Sequence, residues 1–369
     1  MESRQRFLQL AVASAAAAFI LLLYRGAERV EIASHTPNWH AEKEGAPDNR
    51  FVQTEINSTQ ILDFGVVGFA KCGTSFLLHY LLNTDETFLG GGEHCLGRPN
   101  PKHTKKVLSL YEVGHRTADG ARIKNGLKCP KGLTDPWGVV NYEMFLPEMR
   151  FIVSLRHPVL WFQSFYNFRL KQNILKGEKP WKPQVKDLIG PCNNNSPYVL
   201  NHFEANETNR KGVCTDGSKF HHYLSRLGKT AMNTEHEAAL LVHDMSIHSF
   251  PKAQVFIMEI NQFSPHNVTL GNRLRKDLQH FLGLDHELPP LKPHVPEAIP
   301  DEICEQFINI CDQEHDFIRG ILIENGQQAY KWITEYFIES EGVHVSSSEH
   351  FVDLLKQWTV DPCKADDAI

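Results

Sequence analysis

An α/β fold is predicted: a P-loop-like open sheet of mostly parallel strands, flanked by helices, in a single domain. Three observations predict it. Ile61–Val67, Phe151–Leu155 and Ala253–Ile260 are short runs rich in Val, Ile and Phe, the composition of strands buried on both faces. The first two break into tight turns, at Gly68 and at Arg156-His157-Pro158. Each turn leads into a helical pattern, with Phe76, Leu77, Tyr80 and Leu81 after the first and Val159–Leu170 after the second. At 369 residues the chain can bury a substantial core.

Strand, glycine-containing turn and helix N-terminus aim several backbone N–H groups at one point, which suits a phosphate or another anion. Lys71 adds a point charge, and Thr74 and Ser75 can cap the helix or contact the anion. The motif is not G-x-x-x-x-G-K-[ST], because Lys71 precedes Cys72, Gly73, Thr74 and Ser75. Taken alone, the segment is also compatible with a plain strand–helix turn. Arg156 ends the second strand, where open α/β sheets bind ligands, and Ser164 follows about two helical turns later.

Gly90-Gly91-Gly92 places a flexible turn before Glu93 and His94, and these glycines can bring a general base to a bound anion. Glu93 reads equally as a loop carboxylate. Val107–Tyr111 is a short helical candidate, Ala121–Leu127 a small strand or turn, and Leu127–Lys131 a compact basic element. Residues 171–219 are long, polar and rich in Pro and Gly, an insertion or lid. Phe220–Leu227, Ala238–His248, Asn272–Leu284, Glu302–Ile323, Ala329–Glu339 and His350–Trp358 have helical character. Lys292 and His294 fall in a Pro-rich stretch.

Phe7–Tyr24 is uncharged and follows Arg4 and Arg6. As a helix it would span about 27 Å, near the hydrocarbon thickness of a thin bilayer. The expectation is an uncleaved signal anchor at 7–24, with residues 1–6 cytosolic, a stem at 25–56 and a lumenal domain at 57–369; a cleaved signal peptide and secretion is the alternative. Asn57, Asn194, Asn206 and Asn267 begin N-x-[ST] sequons. Of eight cysteines, Cys192 with Cys214 is the first expected bridge. Cys304 with Cys311 is the second, although their spacing also suits one helix face. A net charge of −6 argues against general nucleic-acid binding. No Cys/His cluster has zinc-ligand spacing, so no metal is expected.

Two motifs together resemble the sulfotransferases that use 3'-phosphoadenosine 5'-phosphosulfate (PAPS). Lys71-Cys72-Gly73-Thr74-Ser75-Phe76 is similar to their 5'-phosphosulfate loop, and Arg156–Phe168 to their 3'-phosphate segment, in which Arg156 and Ser164 clasp the phosphate. Ala253–Ile260 and Phe281-Leu282-Gly283-Leu284 resemble later elements, so the likeness covers about 61–284. The resemblance implies transfer of a sulfuryl group to an acceptor hydroxyl, most simply on a glycan, with a tyrosine, lipid or small alcohol as alternatives and a non-catalytic binding protein as another. Glu93 is implied as the base, with His94 as runner-up, and Lys128 as a sulfuryl contact. With the anchor, the chain resembles the Golgi membrane-bound carbohydrate enzymes of heparan N- and 3-O-sulfation. Cys72 departs from the commoner small hydroxyl or glycine residues at that position.

Overall fold

The computed structural model describes residues 61–96, 106–111, 120, 122–177, 182–192, 212–227, 252–263, 267–292 and 299–364. All belong to one compact unit, Glu55–Ile369. Strands β1 (Phe64–Gly68), β2 (Thr87–Leu89), β3 (Lys124–Lys128), β4 (Arg150–Leu155), β5 (Val255–Glu259) and β6 (Val343–Val345) form one sheet in the order β2-β3-β1-β4-β5-β6, with every pair parallel. The helices are α1 (Thr74–Leu82), α2 (Pro136–Phe145), α3 (Pro158–Leu175), α4 (Phe220–Leu224), α5 (Val268–Leu282), α6 (Asp301–Cys304), α7 (Asp316–Trp332) and α8 (Ser348–Lys356). The α/β class and the parallel sheet are as the sequence predicts.

Each central strand divides its apolar residues between two cores. Phe64, Val66, Ile152, Phe256 and Met258 join Leu77 and Leu81 of α1 and Leu274, Leu278 and Phe281 of α5. Phe151, Val153, Leu155, Val255 and Ile257 join residues of α2, α3, α7 and α8 on the other face. Burial on both faces explains the nearly continuous apolar runs. The two phosphate-type turns both lie at the carboxyl edge, because parallel strands deliver all their strand-to-helix turns to one side.

The small strand or turn expected over Ala121–Leu127 is the interior strand Lys124–Lys128, between β2 and β1, although KNGLK has little strand character. Asp63 explains part of this, since its Oδ2 accepts the Asn125 N–H at 2.8 Å, while Asn125 Nδ2 donates to Ile61 O at 3.1 Å. The helix expected over Glu302–Ile323 is broken between α6 and α7. Asn167 pairs with the backbone of Ile308 in both directions and Gln163 accepts from Ile310 N, which holds this stretch against α3. Cys311 bonds to Cys363 and Cys304 is free and exposed, so the expected Cys304–Cys311 bridge is replaced. The Cys192–Cys214 bridge is present, and an unexpected one joins Cys95 to Cys129. Of residues 171–219, Lys171–Leu175 completes α3, and Thr215 and Ser218 are fully buried.

The expected anchor Phe7–Tyr24, the stem, Ala238–His248, His294 and the sequons at Asn57, Asn194 and Asn206 lie outside the described residues. Asn267 caps α5, accepting from Leu270 N at 3.0 Å. Among the described residues no helix is long and apolar enough to cross a membrane. The longest of them, α3, has 18 residues but carries Arg169 and Lys171. The expected membrane partner, signal anchor and Golgi type II placement are therefore withdrawn, since no spanning helix among the described residues supports them.

Gly126 lies opposite Phe64 in the β1–β3 register, and a Cβ there would come within 2.2 Å of the tip of the Phe64 ring. Gly126→Ala is expected to destabilise the fold by about 1–3 kcal/mol through overpacking. Urea unfolding followed by tryptophan fluorescence measures this, and an unchanged midpoint would contradict the packing described.

Candidate functional site

The carboxyl edge of the sheet opens onto a cleft of about 620 Å³. Its walls carry Lys71, Gly73, Thr74, Ser75 and Phe76 from the first turn, and Arg156 and Ser164 from the second. The two halves of the sequence motif, about eighty residues apart, thus face one space.

The turn after β1 is held in an uncommon backbone shape. Lys71 has φ 67° and Gly73 φ 83°, both in the left-handed region. That region strains a lysine, whereas glycine adopts it freely. Gly73 caps α1 without any side-chain hydrogen bond to the helix, so the first amides of α1 have no capping oxygen. The second unit grips the turn from outside. Arg156 Nη1 donates to Lys71 O at 3.3 Å, and Trp161 Nε1 of α3 donates to Ala70 O at 2.9 Å. Cys72, between the contact residues, is fully buried and absent from the cleft wall, and burial pushes its thiol far up, keeping it neutral.

Lys71 Nζ sits 4.2 Å from the centroid of Phe168. Burial, then the neighbouring charges of Arg156, Lys128 and Lys171, lower its pKa to about 8. Arg156 is also pulled down by burial, with Glu259 opposing that shift. The site therefore gathers several cations before any anion arrives.

The glycine turn brings Glu93 to the cleft wall. His94 N donates to Lys128 O at 2.9 Å, and the Cys95–Cys129 bridge fastens the same loop to the segment after β3. Lys128 Nζ reaches Glu93 Oε1 at 2.9 Å and Ser75 Oγ at 3.0 Å. Lys128 is only 5% exposed and Glu93 60%, so the carboxylate faces the open side while the ammonium bridges inward to the phosphate-type loop. His94 is placed differently. Its Nε2 hydrogen-bonds with Gly90 O at 3.0 Å, and the ring does not line the cleft.

Residues given no site role from sequence also line the cleft: Lys131, Phe165, Arg169, Gln172 and Asn261. Arg169 lies on the same helix as Ser164, five residues on, and its Nη1 donates to Gln172 at 3.0 Å. Five residues is not a same-face helical spacing from Ser164, and the sequence carried no direct signal for Arg169. Lys292 lines the cleft as well. Among the described residues no group of His, Cys, Asp and Glu is suited to hold a metal ion.

No protein-family model matches the chain, and no curated protein does. Among solved structures, the chain is similar to a sulfotransferase from Alicyclobacillus acidocaldarius, with 14% identity and a TM-score of 0.41, over 74% of this chain and 96% of that one. The likeness is too distant to speak for shared chemistry.

Sulfate offers a probe of the cleft that does not itself titrate near neutrality. Below its pKa of about 8 Lys71 is charged and attracts the anion; above it the attraction is lost. Sulfate binding, followed by equilibrium dialysis, should weaken by up to about tenfold per pH unit as pH rises beyond 8. Lys71→Met should flatten that part of the profile. An equal pH dependence in the variant would place the bound sulfate away from Lys71.

Proposed function

We propose that the chain is a PAPS-dependent sulfotransferase, with residues 57–369 as its catalytic domain and a glycan hydroxyl as acceptor. The observation that carries this reading is the single cleft faced by two separate anion sites. One is the Lys71–Phe76 loop, the other Arg156 with Ser164. Two sites fit a nucleotide bearing phosphates at both ends, with the 3'-phosphate at Arg156 and Ser164 and the 5'-phosphosulfate over the loop.

In this reading Glu93 is the general base. It takes the proton of the acceptor hydroxyl as that oxygen bonds to sulfur. The bond from sulfur to the 5'-phosphate oxygen breaks, and its electron pair leaves with adenosine 3',5'-bisphosphate. Lys71 and the α1 amides stabilise the departing phosphate. Lys128, bonded to both Glu93 and Ser75, ties the base to the loop and supplies charge at the transferring group. Electrostatics and positioning supply the rate enhancement, as in other transfers of anionic groups. Residues of this chain account for each step without a metal. His94, turned to Gly90 O, serves to hold the glycine turn.

The test is transfer from labelled PAPS by the full chain to a panel of glycans and other hydroxyl acceptors, without added metal. Glu93→Ala should lower kcat by about 10²–10⁴-fold while binding adenosine 3',5'-bisphosphate normally. Arg156→Ala should instead raise KM for PAPS. Full transfer by a Glu93→Ala, His94→Ala double variant would remove the base assignment. Failure to bind adenosine 3',5'-bisphosphate would remove the whole reading.

A further inference from the structure

The ammonium of Lys71 has an aromatic partner that plays no part in the steps above. Its Nζ sits 4.2 Å from the centroid of the Phe168 ring, and both residues line the cleft. At that distance a cation and the face of an aromatic ring attract one another. Arg169 lies 5.8 Å from the same ring but 5.2 Å from that of Phe165, so Lys71 is the nearer cation to Phe168. Among the described residues none of the ion pairs includes Lys71.

The placement of the ring follows from α3. Phe168 stands four residues after Ser164, a spacing that puts both on one face of the helix. Arg156 and Trp161 of the same unit hold the backbone of the loop through the carbonyls of Lys71 and Ala70. Those bonds fix where the Lys71 side chain begins. They leave its four-carbon stem free to turn, and the end of that stem is a strongly hydrated point charge. Arg156, Lys128 and Lys171 repel that charge. The Phe168 ring is placed to oppose the repulsion.

We propose that Phe168 is a positioning residue for Lys71: its ring face holds one side of the ammonium and leaves the other side for the anion bound over the loop. The inference rests on the sulfotransferase reading, which puts the 5'-phosphate there. Its basis is geometric. An ammonium has three N–H donors around one point of charge, and a ring covers only one side of it, so ring and anion can hold it together. A lysine already fixed when the nucleotide arrives loses less rotamer freedom on binding. The same contact keeps Nζ beside the departing phosphate during transfer. Leucine fills much of the same space without a π face, so it separates this role from simple packing.

A double-mutant cycle on binding of adenosine 3',5'-bisphosphate, measured by calorimetry on the full chain, tests the pair. Phe168→Leu should weaken binding about two- to fivefold, and Phe168→Tyr, which keeps a π face, should bind as the wild type does. In a Lys71→Met background, where Arg156 and Ser164 still grip the 3'-phosphate, Phe168→Leu should cost nothing further. An equal loss in both backgrounds, or no loss from Phe168→Leu alone, would overturn the inference while leaving the sulfotransferase reading intact. No binding by the wild type would overturn both. Should a variant fail to fold or to bind measurably, NMR of wild-type protein carrying isotope-labelled lysine decides. The Lys71 ε-methylene signal, identified by its absence from Lys71→Arg, should be shifted upfield by the ring and should stay so when the nucleotide is bound. No upfield shift, or its loss on binding, would overturn the inference.

Discussion

Two hydrogen bonds from the second strand–turn–helix unit hold the carbonyls of Ala70 and Lys71 in the first, and the cleft depends on them. Arg156 donates to Lys71 O, and Trp161 donates to Ala70 O. Both carbonyls belong to a turn whose lysine sits at positive φ, a conformation that local preferences disfavour and surrounding structure must hold. Because α3 supplies one of these donors and also carries Ser164 and Phe168, the same helix that stabilises the loop builds the opposite wall of the cleft. Turn geometry and ligand geometry are thus set together.

The price of gathering Lys71, Lys128 and Arg156 is mutual repulsion in a partly desolvated space. The chain places two carboxylates near these cations, at different depths. Glu93 meets Lys128 at the open side, where an acceptor can reach it. Glu259 ends β5 in register with Leu155, out of contact with solvent. An exposed carboxylate can exchange protons with a substrate, which is the part given to Glu93 in the proposed reaction.

The loop carrying Glu93 shows how covalent and hydrogen-bonded constraints act together. Three glycines allow the turn, the His94 N–H docks on Lys128 O, and the Cys95–Cys129 bridge closes the segment against β3. Glu93 is exposed yet anchored on both sides in sequence. The placement of β3 beside β1 completes the arrangement by bringing Lys128 within reach of Ser75.

Strongly apolar strands and their turns were legible from sequence because burial on both faces leaves a continuous run of Val, Ile and Phe, and Lys71, Ser75, Arg156, Ser164 and Glu93 were legible because they adjoin such turns. Weaker elements were legible only in part. Lys124–Lys128 owes its strand to backbone partners on both sides and to Asp63, none of them near in sequence. The break between α6 and α7 comes from Gln163 and Asn167, more than a hundred residues away. The same holds for the disulfides. Cys192 and Cys214 flank one polar segment, whereas Cys311 finds Cys363 only after α7 and α8 have packed. By itself, then, the sequence determined the α/β class, the two strand-to-helix turns and the residue types they carry, since these follow from local pattern. Tertiary structure alone decided that the turns share one cleft, that Lys128 bridges Glu93 to Ser75, and that His94 turns away. Each of those depends on which strands lie side by side, and in a parallel sheet neighbours are set by crossovers through distant chain.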